Sequence, residues 1–283
     1  MEAASRKSYP TDLTDAQWEV VALLLPPAKH GGRPRTVNLR EVVNTILYLN
    51  RTGCQWDMLP HDLQPKSTAY EYFSQWRDDG TLTKIVDALR TQVRQGAGRE
   101  DTPSAVCIDS QSAKTTDVGG EQRGYDGGKK IKGRKRQALV DTEGTLLKVK
   151  VHPADLHDQV GGMLLLQCLH LLFPTIVLVW ADTHYQGLKL WAKQTLGWTI
   201  EVVKHWWINF SRRHLLYGDD MPEIPKGFHI LPRRWVIERT FAWLVTNRRL
   251  VVDYEKLPET SETFIYMAMS RILMKRLTRP VQT

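Results

Sequence analysis

Hydrophobic residues recur at helical spacing through the first hundred residues and at strand spacing after that. A chain that changes period in this way must combine an all-helical part with a sheet-built part. Thr14 and Gln17 form a capping-box pair ahead of Trp18, Val20, Val21 and Leu24, and Pro26-Pro27 is expected to stop that helix. Asn38 and Glu41 begin a second helix carrying Val42, Val43, Ile46, Leu47 and Leu49. A turn-rich stretch leads to a short third helix over 67–76, and Gly80 precedes a fourth with Leu82, Ile85, Val86, Leu89 and Val93. The polar, Gly-containing segment 95–103 reads as a linker. The expected division is a helical domain over 1–94 and a second domain over 104–283.

In that second part, 104–109, 137–141 and 145–152 are short runs rich in β-formers, the last two joined by a tight turn at Asp141-Thr142-Glu143-Gly144. An apolar helix is expected over 158–172. A near-continuous apolar strand over 175–181 has the character of one buried on both faces. A helix over 188–196, a strand over 198–204, a further short strand at 228–231 and helices over 233–249 and 260–277 complete an α/β pattern.

Acids at strand ends are the first candidates for chemistry. Asp109 follows Val106-Cys107-Ile108, and Asp182 follows the run ending at Ala181. Each is the first charge after a buried strand, where α/β sheets place active groups, although such an acid can also simply cap the next turn. Glu238 is the third. At about 100° per residue, Ile237, Phe241, Val245, Ala242 and Trp235 surround it, which sets it in the middle of an apolar arc with Arg234 and Arg249 alongside. A buried Glu–Arg pair is one explanation and a metal ligand is the other. Three carboxylates converging on a sheet edge suit Mg²⁺ or Mn²⁺. Two such ions can activate a nucleophilic oxygen and stabilise the leaving oxygen of a phosphodiester.

The charge balance fits a polyanionic partner: 39 Lys and Arg against 31 Asp and Glu give a net charge of +8. Seven basic residues, Arg123, Lys129, Lys130, Lys132, Arg134, Lys135 and Arg136, interleave with glycines in what reads as a loop able to follow a phosphate backbone, or as an ordinary solvated loop. His205-Trp206-Trp207 and Arg212-Arg213-His214 add an aromatic and basic patch. The third helix presents Ser67, Thr68, Glu71, Ser74 and Gln75 among Tyr70, Phe73 and Trp76, a layout similar to helix-turn-helix DNA readers.

Other classes drop out. No stretch approaches the roughly 20 apolar residues of a membrane span. The first residues carry no apolar secretory core, and three scattered cysteines without a CxxC fit reduced thiols, so the expected location is the cytoplasm. No GxxxxGK[ST] phosphate loop occurs, and Ser110 lacks the GxSxG context of a nucleophilic serine.

Several ordered blocks closely resemble bacterial insertion-sequence transposases of the DDE type, in the insertion-sequence-five group. They are Ile108-Asp109-Ser110-Gln111-Ser112-Ala113-Lys114-Thr115, Gly124-Tyr125-Asp126-Gly127-Gly128-Lys129-Lys130 with Lys132-Gly133-Arg134-Lys135-Arg136, Ala181-Asp182, and Tyr185-x-Gly187. The last is Leu231-Pro232-Arg233-Arg234-Trp235-Val236-Ile237-Glu238-Arg239-Thr240-Phe241-Ala242-Trp243. Tyr9 to Thr14, Asn50 to Trp56 and Leu59 to Asp62 resemble the group's N-terminal blocks.

The resemblance implies an RNase H-like catalytic domain, a mixed sheet flanked by helices, behind an all-α helix-turn-helix-like DNA-binding domain. Asp109, Asp182 and Glu238 carry over as its catalytic, metal-holding acids, with a small insertion at about 204–232. Some relatives have a Tyr and a Lys where this chain has Leu231 and Val245. Arg248 or Arg249 would then stand in for the Lys. The activity implied is that of a transposase: it binds the terminal inverted repeats of its element, cleaves phosphodiester bonds with metal-activated water and joins the 3′-OH ends to target DNA. Two Mg²⁺ or Mn²⁺ ions and a dimer or larger assembly on DNA go with it. Expected DNA contacts are Lys114, Lys129, Lys130, Lys132, Arg134, Lys135, Arg136, Arg234, Arg239, Arg248 and Arg249, with Ser67, Thr68 and Tyr70 on the third helix. A catalytically silent DNA-binding protein and a structure-selective RNase H-like nuclease are the rival readings.

Overall fold

Local sequence sets the helix ends. In the computed structural model, which describes residues 6–28, 31, 34–117, 120, 122–203 and 235–279, α1 spans Asp15–Ala22 and carries the Thr14/Gln17 capping box. It ends at Ala22, several residues before Pro26. The Asn38 side chain accepts from the amides of Arg40 and Glu41 at the start of α2 (Leu39–Thr52), and Gly53, at φ 74°, closes it. α3 (Lys66–Asp78) and α4 (Thr81–Gly96) follow, the latter entered through Gly80 in a left-handed conformation.

The sheet is built from β1 (Ala105–Lys114), β2 (Gly124–Asp126), β3 (Ile131–Asp141), β4 (Leu146–Pro153), β5 (Leu178–Ala181) and β6 (Thr199–Val202). β3 lies antiparallel to β1, with Asp109 opposite Ala138, and carries β4 along its far side and β2 at its start. β5 runs parallel to β1, and β6 parallel to β5. This mixed sheet flanked by helices is the RNase H-like α/β arrangement. The β3–β4 turn is held by Asp141, whose Oδ1 accepts from the amides of Glu143 and Thr145 while Oδ2 accepts from Arg94.

Strand alternation sorts the core into two layers. Cys107, Ala138, Val140, Val149 and Trp180 face one way, into a core shared with α1–α4, α8 (Trp235–Val245) and α9 (Pro258–Leu277). Val106, Ile108, Leu139, Val179 and Ala181 face the other way, onto Leu165, Leu169, Leu188 and Ala192 of the segment holding α5 (Asp158–Leu166), α6 (Leu169–Leu172) and α7 (Lys189–Thr195). The helices α1–α4 therefore share a core with one face of the sheet. No helix among the described residues is long and apolar enough to cross a membrane.

Three element expectations are corrected. The run 158–172 is two helices, because Cys168 adopts φ 63° between them. The strand expected over 137–141 begins at Ile131, so much of the expected basic loop is sheet. The late helix expected to reach Arg249 stops at Val245, and Arg248–Leu250 form a separate 3₁₀ turn. The insertion at 204–232, with the short strand at 228–231 and the His205 and Arg212 clusters, lies outside the described residues.

Candidate active site

Asp109 and Asp182 are brought together by the β1–β5 pairing. Parallel partners run from Ala105 opposite Leu178 to Cys107 opposite Trp180, so Asp109 and Asp182 each follow two residues after the last pair of these neighbouring strands. Both are half-buried. Asp109 Oδ1 accepts from the Ser110 amide at 2.7 Å. Asp182 caps the 3₁₀ turn Thr183–Leu188: Oδ1 accepts from the His184 amide and Oδ2 meets His184 Nδ1, both at 2.8 Å. The hydrogen bond to Asp182, then its charge, raises the His184 pKa against the opposing effect of burial, with Asp158 and Asp109 adding to it. Burial, followed by the charges of Asp109, Asp158 and Asp182, pushes the Tyr185 phenol well above its ordinary range, although its hydroxyl donates to Gln137 Oε1 at 2.6 Å. Asp109, Asp158 and Asp182 thus concentrate negative charge around His184 and Tyr185.

Asp158 is the acid that sequence reasoning passed over. Its Oδ1 accepts from Ser110 Oγ at 2.9 Å and pairs with Lys135 Nζ at 3.2 Å, tying α5 to the residue after Asp109. Read from sequence, it is only the first residue of an apolar helix. Its contact with Ser110 depends on β3 and α5 meeting.

Glu238 is on α8, whose Val236, Ile237, Phe241 and Leu244 pack in the core that also takes Cys107 and Trp180. By strand alternation, Asp109 and Asp182 belong to that same face, so α8 and the two aspartates share one side of the sheet. The Glu238 side chain is exposed, however, where a position within the apolar arc is expected. The buried arc of α8 runs through Val236, Ile237, Thr240, Phe241 and Leu244, while Trp235 and Ala242 face outward. Apolar composition on both sides of the helix misplaces the arc.

For a divalent cation, the donor chemistry of the two aspartates fits: hard carboxylate oxygens, Asp109 within β1 and Asp182 just past β5, both half-buried. His184 now occupies one Asp182 oxygen and would have to yield it. Among the described residues no three His, Cys, Asp or Glu side chains stand close enough to hold an ion. Glu238 completes such a set only if its exposed side chain turns toward the aspartates.

The basic residues divide sharply. Lys114, Lys129, Lys130 and Lys132 are exposed. The turn carrying Lys129 and Lys130 is capped by Asp126, whose Oδ1 accepts from the amides of Gly128 and Lys129, and Lys129 Nζ donates to Ser110 O at 3.2 Å. Arg248 is exposed, and Arg239 lies between the rings of Trp235 and Trp243 at 4.3 and 4.6 Å.

Four expected DNA contacts are corrected. Arg134, Lys135 and Arg136 are buried because β3 begins earlier than expected. Arg134 binds Asp253 and the carbonyls of Gln122, Glu255 and Lys256, Lys135 binds Leu156 O and Asp158, and Arg136 binds Leu250 O. Arg249, off the helix, is buried with Nε on Glu255 Oε1 and NH1 on Cys54 O. Arg234 lies outside the described residues.

On α3, Ser67 and Tyr70 are exposed, and Tyr70 packs edge-on against Trp56. Thr68 lines an open groove of about 530 Å³ with Glu71, Gln75, Arg35 and Pro26. The α2–α3 connection, from Gly53 to Pro65, contains a 3₁₀ turn and is far longer than a three- or four-residue helix-turn-helix link.

Comparison with known families agrees with this architecture. The model described as the transposase DDE domain matches residues 100–273, and the model for transposases of the IS4/5 family matches residues 13–86. Neither a curated protein nor a solved structure matches the chain. Because the DDE-domain match runs from the loop before β1 through most of α9, over more than half of the chain, the chain belongs to the DDE transposase family.

Proposed function

We propose that this transposase binds the terminal inverted repeats of its element, cleaves phosphodiester bonds there, and directs the freed 3′-OH ends onto target DNA. Asp109, Asp182 and Glu238 are its catalytic carboxylates. The observation that supports this reading is the β1–β5 pairing up to Cys107 and Trp180, two residues short of Asp109 and Asp182, on a sheet whose one face packs against α8. Two bound Mg²⁺ or Mn²⁺ ions would supply Lewis acidity for the attacking and the leaving oxygen. Asp109 and Asp182 would hold them, and Glu238 would complete one site from α8. His184, hydrogen-bonded to Asp182, orients that carboxylate. Lys129, anchored on the carbonyl next to Asp109, and Lys130, Lys132 and Lys114 position the phosphate strand. Arg239, stacked between two tryptophans, contributes from α8. Ser67, Thr68 and Tyr70 on α3 face the terminal repeat. Joining two ends calls for a dimer or a larger assembly on DNA, in the bacterial cytoplasm.

The test uses duplexes of the DNA flanking this reading frame, with Mg²⁺, in nicking and strand-transfer assays. Asp109→Asn, Asp182→Asn and Glu238→Gln are each expected to lower nicking by more than about a hundredfold, beyond the loss of an outer-shell partner, with end binding retained. If none of them changes the reaction products, the acids are not catalytic and the silent DNA-binding reading replaces this one. Cutting without any terminal sequence requirement would favour the nuclease.

A further inference from the structure

A cavity of about 170 Å³ is lined by Arg51, Thr246, Asn247, Ala268, Arg271, Ile272 and Lys275. Arg51 is in the last turn of α2, Arg271 and Lys275 are on α9, and Arg279 follows two residues beyond its end. Arg271 and Lys275, four apart, stack along one side of the helix about 6 Å apart, and the charge of Arg279 acts on Lys275.

No described carboxylate forms an ion pair with any of these four cations. Their hydrogen bonds go to backbone carbonyls: Arg51 to Thr246 O, and Arg271 to Pro10 O at 3.1 Å. Burial and then the Arg51 charge lower the Arg271 pKa. The Arg271 charge, then burial, then the charges of Arg51 and Arg279, lower that of Lys275. Like charges four apart on a helix destabilise it. Cations at helix C-termini interact well with the helix dipole, which accounts for Lys275 but not for Arg271, a turn further in beside Arg51. Among the described residues, the chain thus holds a mutually repelling cluster around a concave site with no carboxylate paired to it. Arg248, exposed in the turn directly after Thr246 and Asn247, extends the same positive surface.

We propose that Arg51, Arg271, Lys275 and Arg279 form a phosphate-backbone clamp that grips duplex DNA. A free phosphate would fill the cavity, but Arg279 beyond α9 and Arg248 beside Thr246 and Asn247 carry the positive surface past it, toward neighbouring phosphates of a strand. The proposal rests on the reading of this chain as a transposase that binds element ends.

The experiment measures affinity for a duplex of the flanking DNA across a salt series, with the full chain. Three proteins are compared: the unaltered chain, Arg271→Ala/Lys275→Ala, and a charge-matched control, Lys84→Ala/Lys193→Ala, whose lysines are exposed elsewhere. The clamp variant is expected to bind about tenfold more weakly and to lose about two from the slope of log affinity against log salt. Its melting temperature should hold or rise, because repulsion is relieved. Unchanged affinity and slope, an equal loss in the control, or a lowered melting temperature with unchanged affinity each overturns the clamp. So does displacement of DNA by inorganic phosphate too dilute to alter ionic strength, which would mark a free-anion site. If the unaltered chain itself binds no DNA, the end-binding reading fails together with the clamp. If it binds and the variant matches it, only the clamp fails.

Discussion

Arg134 is shut off from solvent, and its guanidinium meets oxygens on every side: Nε donates to Gln122 O, NH1 to Asp253 Oδ1 and Glu255 O, and NH2 to Lys256 O. Only a planar fork with five donors can serve so many acceptors at once. Asp253 is equally buried, so removing the cation would strand a carboxylate. Arg134→Met is expected to lower stability by roughly 3–5 kcal/mol, read as a reduced urea midpoint. Lys132→Ala, exposed two residues earlier, should stay within about 0.5 kcal/mol. Equal midpoints for the two variants would show that the Arg134 network carries no stability. The sequence presents Lys132 and Arg134 as members of one basic run. What separates them is the set of partners at 253–256 that covers Arg134, more than a hundred residues along the chain. Asp158 is hidden for the same reason: its oxygen meets Ser110 and Lys135 only where α5 crosses β3.

Among the elements, β1 and β3 carry the site, and their pairing ends at a point of close approach. Lys114 is opposite Gly133, and a Cβ on Gly133 would fall 2.0 Å from Ala113 O and 2.9 Å from Thr115 N. Neither backbone can yield without breaking the ladder. Gly133→Ala is expected to cost roughly 2–4 kcal/mol, seen as a lowered melting temperature with faster amide exchange in β1 beyond Asp109. An unaltered melting temperature would mean that the two strands do not approach so closely. The helix starts at Thr14 and Asn38 were legible because capping is a contact between residues two or three apart. The break at Cys168 was not. Nothing about cysteine favours a left-handed conformation, and the apolar run on either side is continuous with a single helix. The outward-facing side of α8 was misread because Trp235 and Ala242 count as apolar but are exposed.

At the scale of the whole molecule, the apolar faces of α2, α3 and α4 close on α9, and that same core takes Cys107, Val140 and Trp180 from the sheet. Neither the N-terminal helices nor that sheet face buries its apolar surface alone. Thermal unfolding should therefore be a single transition, with calorimetric and van't Hoff enthalpies in agreement. Two separated transitions would show that the helices and the sheet are independent units.

Short-range rules acting on this chain were enough to set the capped helices, the β3–β4 turn, an α/β pattern and Asp182 just past a buried strand, but not that β1 runs on past Asp109 to Lys114. Those features depend on neighbours within a few residues or on a simple period. Which basic residues face water, which side of α8 carries Glu238, how the N-terminal helices share the sheet's core, and where four cations gather around a cavity were decided by packing. Each joins segments far apart in the chain, and burial and charge pairing act between whatever surfaces folding brings into contact.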